Sequence, residues 1–474
     1  MRKTKIICTI GPVSASYDML EQLAHAGMNV ARLNMSHGEH DNCVQIIKAI
    51  RTLNRKLPHP VAVLLDTQGP EIRTGVRTSD LNLGTGDIVT VVARPEADVE
   101  TKSILIDYQD IITDVDIGDR ITVDNGLINL EVLSKEAQAM RCKVLDGGIL
   151  KSRRHVNLPG VRVNLPAITE KDKRDIIFAA EQEVDFIALS FVRGAEDIRE
   201  LKALLGNKAG KIKIIAKIED QEGLKNLDAI IAESDGIMVA RGDLGVEIPF
   251  EHLPQVQRHI IRRCAELGKR VIVATHMLES MIENPMPTRA EVTDVANAVY
   301  EGADAIMLSG ETTLGKYPVR CVEVLDRIAR TTEQGAGLDF HKGLAVPGDK
   351  QGIAAAAVNL AEAIAARAIV VPTRRGLMAN LVTNCQPKNV VICAFTNDSR
   401  TRRQLVLNRN LRSFRINFSA EAEKTLATAA DILLGRPDFQ ESDKVVIISD
   451  ALSTTGVEAI QVRRLGELRR PSAD

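Results

Sequence analysis

The chain predicts an α/β protein built on a closed (β/α)8 barrel with two additions, and three observations point there. Eight apolar runs recur along the sequence, most preceded by an amphipathic helical stretch. Each run ends in polar residues, as barrel strands do on the face that carries an active site. The spacing fails once, between the third and fourth runs, where about four times the residues of one β/α unit intervene.

In order, the runs are Lys5-Ile6-Ile7-Cys8-Thr9, Val30-Ala31-Arg32-Leu33-Asn34, Val61-Ala62-Val63-Leu64-Leu65-Asp66-Thr67 and Phe186-Ile187-Ala188-Leu189-Ser190. Then come the run ending at Lys217 and Glu219, the run ending at Asp243, Val271-Ile272-Val273-Ala274-Thr275 and Ala305-Ile306-Met307-Leu308-Ser309. Helical stretches such as 17–26 and 254–267 stop at Gly27 and Gly268, the residue type that closes helices. The barrel is assigned residues 1–70 and 168–337. Residues 71–167 carry short β-branched runs (Ile88-Val89-Thr90-Val91-Val92, Arg120-Ile121-Thr122-Val123, Ile128-Asn129-Leu130-Glu131-Val132) between Gly-Asp, Asn-Gly and Gly-Gly turns. They read as an inserted all-β domain, a small barrel. Set into a loop at the active face, it is placed to close as a lid; a decorative insertion is the other reading.

A glycine-containing, polar stretch at 335–352 is the expected linker. Residues 338–474 then alternate again: a helix over 354–366, strands Ala368-Ile369-Val370-Val371, Val390-Val391-Ile392-Cys393-Ala394 and Val445-Val446-Ile447-Ile448, and a weaker strand over 413–417. This is a C-terminal doubly wound α/β domain with helices on both faces. After Gly466 a polar, frayed tail is expected.

Composition narrows the function. The 474 residues are 45% apolar and carry a formal net charge of −2 without a basic run, so neither nucleic acid nor an acidic membrane is the expected partner. Seven cysteines without CxxC spacing read as reduced thiols of a cytoplasmic protein. The first residues lead straight into a strand with no signal-peptide pattern, and no apolar run reaches membrane-spanning length. Nine histidines form no HxxxH or HExxH pattern, which argues against zinc.

The most telling residues are in Ala216-Lys217-Ile218-Glu219 and Val239-Ala240-Arg241-Gly242-Asp243. Lys217 and Glu219 are two apart and share one side of an extended chain. Asp243 arrives one strand later, after a helical stretch at 223–233. One ammonium and two carboxylates thus converge at neighbouring strand ends. Two carboxylates suit a divalent metal that keeps positions open for phosphate oxygens, and a lysine beside it can neutralise a migrating phosphoryl group. A salt-bridge network at a barrel rim would place the same residues.

The longer motifs resemble the pyruvate kinase family over almost the whole chain. They are Lys3-Thr4-Lys5-Ile6 through Gly11-Pro12, Ala31-Arg32-Leu33-Asn34-Met35-Ser36-His37-Gly38, Leu65-Asp66-Thr67-Gln68-Gly69-Pro70-Glu71-Ile72-Arg73 and the Lys217 and Asp243 segments. Further along are Ala274-Thr275-His276-Met277-Leu278-Glu279-Ser280-Met281, Asn284-Pro285-Met286-Pro287-Thr288-Arg289-Ala290-Glu291 and Met307-Leu308-Ser309-Gly310-Glu311-Thr312. The resemblance implies a TIM barrel with a mobile β lid and an α/β regulatory domain. It also implies transfer of the phosphoryl group of phosphoenolpyruvate to ADP, giving ATP and pyruvate, in glycolysis.

It assigns Arg32 to the phosphoryl group, Lys217 to the transferring group and Glu219 and Asp243 to Mg2+ or Mn2+. Gly242 and Asp243 amides would take the substrate carboxylate, and Thr275 the side where the enolate carbon is protonated. Arg73, the lid's Arg154 and His37 would meet nucleotide phosphates. Asn34, Ser36, Asp66 and Thr67 match the family's K+ ligands, and Glu71 matches its potassium-dependent members, where potassium-independent ones carry lysine. Thr373, Arg374, Arg375 and Gly376, a loop between strand and helix, would bind a phosphorylated metabolite effector. Bisphosphate-binding relatives carry several hydroxyl residues there; this chain has Arg375, Leu377 and Met378, and its Ser453-Thr454-Thr455-Gly456 loop is only partly similar. A sugar or nucleotide monophosphate is therefore the expected effector, and a homotetramer the expected assembly. His276 stands where glutamine is usual, Arg154-His155 where lysine and glycine are, and Asn125 where a second aspartate is common. These keep polarity, so altered nucleotide affinity is expected. A metal-dependent barrel aldolase explains Arg32, Glu219 and Asp243 but not Lys217, the lid or the terminal domain. A silent metabolite sensor predicts loss of Lys217, Glu219, Asp243 or Thr275, and all are present.

Overall fold

A computed structural model describes residues 2–93, 102–449 and 459–469. Eight parallel strands close into a barrel in chain order: β1 (Lys5–Thr9), β2 (Val30–Asn34), β3 (Ala62–Asp66), β4 (Phe186–Leu189), β5 (Lys213–Ile218), β6 (Gly236–Ala240), β7 (Arg270–Ala274) and β8 (Ala305–Leu308). All are nearly continuous apolar runs because both faces are covered. Alternate residues fill the interior (Ile7, Leu64, Ala188, Ile215, Met238, Ile272, Met307) or pack against the surrounding helices (Ile6, Leu65, Ile187, Ile214, Ile237, Val273, Ile306).

The helices are stopped by local chemistry. Tyr17–Ala26 starts on Ser16, whose hydroxyl accepts from the Met19 amide, and ends at Gly27 with φ +127°. The single helix expected over 223–233 is instead two, Gln221–Lys225 and Leu227–Glu233. Asn226 breaks it by donating its side-chain amide to the Arg193 carbonyl at 2.7 Å.

Between β3 and β4 lies a seven-stranded, mostly antiparallel sheet in the order Ile72–Arg73, His155–Asn157, Arg120–Val123, Ile128–Lys135, Ala139–Asp146, Ile88–Val92, Ser103–Leu105. Its two edges meet: Thr74 bridges to Ile106, the Gly75 amide donates to Leu105 O (2.8 Å) and the Asp107 amide to Arg73 O (2.9 Å). This closes a small barrel around a separate core that includes Val91, Ile104, Ile121, Leu130 and Met140. Closure removes the exposed edges that an inserted sheet would otherwise present.

The last unit is a five-stranded sheet of β9 (Ala368–Pro372), β10 (Val391–Thr396), β11 (Leu411–Arg415), β12 (Lys444–Ser449) and β13 (Ala459–Arg464), ordered β11-β10-β9-β12-β13. The first four are parallel and β13 is antiparallel to β12. Helices Asp349–Ala363 and Leu377–Asn384 cover one face and Ala422–Leu434 the other. The expected linker is more ordered than its composition implies, with a 3-10 turn at Phe340–Gly343 and the next helix starting at Asp349. Of the tail expected after Gly466, the first residues are ordered: β13 runs into the helix Leu465–Leu468, which buries Leu465 and Leu468, and residues 470–474 lie outside the described ones. Against the barrel, Arg403 Nε sits 2.8 and 3.1 Å from the two oxygens of buried Asp185, which also accepts from the Val63 amide at 3.0 Å.

All seven cysteines are free, six of them buried. Among the described residues no helix is long and apolar enough to cross a membrane.

Candidate active site

Because β5 is extended, Lys217 and the residue after its end, Glu219, emerge on one side at the carboxyl face of the barrel. Lys217 Nζ stands 3.0 Å from Glu219 Oε1 and 3.0 Å from Asp66 Oδ1, and donates to Ser190 Oγ at 2.7 Å. Ser190 is fixed in turn: its amide donates to Thr67 Oγ1 (3.0 Å) and its hydroxyl to Thr67 O (2.7 Å). Burial alone would lower the Lys217 pKa, but Asp66 and Glu219 overcome it and hold the ammonium charged well above the usual lysine range.

Arg32, at the middle position of β2, bonds Asp66 Oδ2 through Nε at 2.6 Å and Thr9 Oγ1 through Nη1 at 2.9 Å. Its Nη2 has no protein partner among the described residues, and the side chain lines an open cavity of about 350 Å³. Burial works to raise the Asp66 pKa; Lys217 and Arg32 outweigh it and keep the carboxylate below its ordinary value. Glu219 goes the other way, pushed up to about 7 by burial and by the charge of Asp243, against the pull of Lys217. Its second oxygen accepts from the Phe191 amide at 2.7 Å.

Asp243 lies in the first turn of the Arg241–Glu247 helix, which follows β6 directly, and lines the same cavity as Lys217 and Glu219. The Gly242 amide donates to Thr275 Oγ1 at 2.8 Å, joining the ends of β6 and β7. Thr275 and His276 both have left-handed backbone, φ +68° and +55°, a conformation costly for non-glycine residues and one that surrounding structure must hold.

Arg241 holds it. Its guanidinium is buried, donating to Ala274 O (3.3 Å) and Thr275 O (2.6 Å) and bonding Asp294 Oδ1 at 2.7 Å. Glu311, whose pKa is raised by burial, adds a brace by accepting from the Leu278 amide (2.9 Å) and the Ser309 amide (2.7 Å). The sequence reading gave Arg241, Asp294 and Ser190 no role. Arg241 and Asp294 were legible only as charges in a motif and on a helix, because what they bind is backbone carbonyl and each other. Asp294→Asn is expected to lower kcat about tenfold with little change in substrate KM, since one charge-assisted bond is lost. A change in KM alone would show that the Thr275 turn does not depend on this pair.

The cavity is completed by the lid. Arg73 and Arg154 both line it, on neighbouring lid segments paired through Arg73 and His155. Arg73 is tied to Glu71 at 2.6 Å and Arg154 Nη1 stands 3.4 Å from Asp124. His37 and Asn125 are on the same wall, whereas His276 faces Glu279 at 3.5 Å and does not line it. Asn34 is paired in register with Asp66 across β2 and β3. Asn34 Oδ1 accepts from the Ser36 amide at 3.2 Å, and Ser36 Oγ is 3.5 Å from Glu71 Oε1.

The expected effector loop is arranged differently from an open anion cradle. Thr373 Oγ1 is taken by the Gly376 amide at 3.0 Å, Met378 is fully buried, and the Arg374 guanidinium lies 5.6 Å from the Phe418 ring centre. Arg375 lines a separate cavity against the barrel. The Ser453–Gly456 segment lies outside the described residues.

As to metals, no cluster of three or more His, Cys, Asp or Glu among the described residues could hold an ion. Glu219 and Asp243 form a two-carboxylate set, electrostatically strained as the raised Glu219 pKa shows. That donor set fits a hard divalent cation whose other positions go to substrate and water.

The chain matches the family model described as pyruvate kinase, barrel domain, over residues 1–322, and that of the pyruvate kinase alpha/beta domain over 351–459. It is 43% identical over 471 residues to a pyruvate kinase of Bacillus licheniformis, covering 96% of this chain and 79% of that protein. It is 47% identical over 417 residues to one of Geobacillus stearothermophilus, covering 85% and 70%. A plastidial pyruvate kinase 2 of Arabidopsis thaliana is 41% identical over 473 residues, covering 98% and 81%. With both family models matched in order and relatives this close along nearly the full length, the chain belongs to the pyruvate kinase family.

Proposed function

We propose that this chain transfers the phosphoryl group of phosphoenolpyruvate to ADP, with the following division of labour. The observation that carries it is the buried ammonium of Lys217, held between Asp66 and Glu219 at the wall of a cavity that also exposes Arg32. Arg32, oriented by Asp66 and Thr9, presents its remaining guanidinium nitrogen to the phosphoryl group. Lys217 neutralises charge on that group as it moves between donor and acceptor oxygens, and because Asp66, Glu219 and Ser190 already fix it, little reorganisation is needed. Glu219 and Asp243 would hold Mg2+ or Mn2+, which when bound supplies Lewis-acid stabilisation of phosphoryl and enolate oxygens. The substrate carboxylate would take over the Gly242 amide from Thr275 Oγ1, alongside the Asp243 amide in the same helical turn. That exchange would free an acceptor lone pair of the Thr275 hydroxyl, which still donates to Ala274 O at 2.7 Å, on the side where the enolate carbon is protonated. Arg73 and Arg154, with His37, would meet the phosphates of ADP as the lid closes.

Asn34, Ser36, Asp66 and Thr67 would form a K+ site, supported by the register of Asn34 with Asp66 and by an all-oxygen donor set. The aldolase reading leaves Lys217, the lid arginines and the terminal domain without a task. A coupled assay tests the proposal: the protein with phosphoenolpyruvate, ADP, Mg2+ and K+ should form ATP and pyruvate in equal amounts. No ATP with either Mg2+ or Mn2+ would refute it. Sedimentation velocity reads the homotetramer expected of the assembly.

A further inference from the structure

A cavity of about 670 Å³ lies where the lid joins the barrel, next to the active cavity and sharing His155 and Phe191 with it. Its lid wall includes Ile72, Val156, Leu158 and Val161. Its barrel wall comes from Phe191 and from the segments that follow β5 and β6, with Asp220 and Glu247. Arg193 fixes one side, donating from Nη1 to Val163 O at 2.7 Å and from Nη2 to Leu165 O. The volume is within the range of small-molecule sites. None of the residues given a task in phosphoryl transfer lines it.

The buried polar groups of this cavity are acceptors. Asn157, only 5% exposed, donates its side-chain amide to Glu247 Oε1 at 3.2 Å, while its own Oδ1 is buried with no partner among the described residues. A buried acceptor left unpaired is costly, so the group calls for a donor. Among the described residues no cation stands within bonding distance of the Glu247 or Asp220 carboxylate. Burial pushes the Glu247 pKa up to about 7, with Asp220 and Asp243 adding to the rise against the Asn157 bond. Gln221 Nε2 donates to the main-chain oxygen of Glu247 at 2.5 Å and holds that helix end in place. The cations are placed elsewhere. Arg193 is spent on its two carbonyls, Arg162 is at the surface 3.8 Å from Glu222, and exposed Lys225 has no partner among the described residues.

Acceptors inside, cations at the rim and an aliphatic wall together select a ligand. An anion would meet two carboxylates without counter-ions, and an inorganic cation would leave the apolar wall unused. An ammonium on an apolar body satisfies both. Asn157 belongs to the lid and Glu247 to the barrel, so an ammonium bonded to both bridges the two units. It would brace the lid as it stands here, where Arg73 is held by Glu71 at 2.6 Å and Arg154 stands 3.4 Å from Asp124. Both arginines then face carboxylates instead of phosphates. A ligand that binds one lid arrangement better than another shifts the population toward it.

We propose that this cavity at the root of the lid binds a small organic ammonium, its N–H groups on Asn157 Oδ1 and Glu247 and its apolar body against Val156, Leu158 and Val161, and that occupancy braces the lid against ADP. The binding half stands on the cavity alone; the bracing half rests on the function proposed above. The test is calorimetric titration of the full chain with phenethylamine, using phenethyl alcohol, hydrocinnamate and methylammonium as comparison probes. Phenethylamine should bind the wild type at least about tenfold more tightly than the alcohol or the carboxylate, the scale of one charge-assisted bond. Glu247→Gln should weaken it by about the same factor. Lys225→Glu, which turns a rim cation into an anion, should tighten it about twofold or more. With phenethylamine saturating, half-saturating ADP should rise at least about twofold in the wild type and stay level in Glu247→Gln. Absence of phenethylamine binding at millimolar concentration would overturn the proposal, as would equal binding by the wild type and Glu247→Gln. Should Glu247→Gln fail to fold, Lys225→Glu decides, and binding no tighter than wild type overturns the site. Methylammonium binding as well as phenethylamine would overturn the assignment of the apolar wall. A half-saturating ADP that stays level or falls in the wild type removes the bracing half. Should the protein form no ATP at all, the calorimetry still decides the binding half, so the two failures are separable.

Discussion

Lys217→Met is expected to cut turnover by about 10²–10³, equivalent to ~2.7–4 kcal/mol of transition-state stabilisation, while phosphoenolpyruvate binding stays within a few fold. Methionine keeps the length and apolar stem of the side chain and removes only the charge. Arg32 still pairs with Asp66 at 2.6 Å, so the group that grips the phosphoryl in the ground state keeps its orientation. What disappears is the one ammonium that contacts Asp66, Glu219 and Ser190 together. Steady-state kinetics with a binding titration separates the two effects, and a melting curve checks the fold. Near-normal turnover would make Lys217 a structural counter-ion; loss of both binding and turnover would mean that it acts on the ground state instead.

The second large effect concerns potassium. In buffer holding only an organic cation, wild-type turnover is expected to fall at least about tenfold and to return on adding K+. Substrate and nucleotide bring several negative charges beside Asp66 and Glu71, and one unit charge at about 4 Å is worth ~4 kcal/mol at an effective dielectric of 20. A third of that is already roughly tenfold in rate. Glu71→Lys should relieve the requirement, because residue 71 reaches Ser36 Oγ at 3.5 Å, beside Asn34. It also pairs with Arg73 at 2.6 Å. If that pair were its only role, the variant would lose activity in both buffers and the wild type would be indifferent to K+.

Much of the fold was legible because barrel strands announce themselves twice, through apolar content and through polar ends. Lys217, Glu219 and Asp243 were readable because strand period and β/α spacing alone bring them together. Less local features were hidden. β13 has only Ala459, Ile460 and Val462 as apolar residues, beside Gln461 and the pair Arg463-Arg464, and it pairs antiparallel to β12 at an edge. The split at Asn226 depends on a carbonyl over thirty positions away. Arg241 and Asp294 shape Thr275 entirely through the backbone, which no side-chain pattern records. The internal bonding of the loop expected to hold an effector, Thr373–Gly376, was hidden for a like reason. Thr373 Oγ1 bonds the loop's own Gly376 amide, a choice invisible without the turn geometry.

The contact between Asp185 and Arg403 bears on how such a chain could be inherited. Asp185 is buried just ahead of β4, and among the described residues the cation that bonds it, Arg403, comes from the far domain, more than two hundred residues later. A barrel separated from that domain would keep a carboxylate in a dry position with its counter-ion gone, a loss typically costing ~3–5 kcal/mol. The two units are thus not interchangeable cassettes. Any recombination that exchanged one would have to bring an arginine to the same place, so the boundary between them is a seam in the sequence but not in the charge balance.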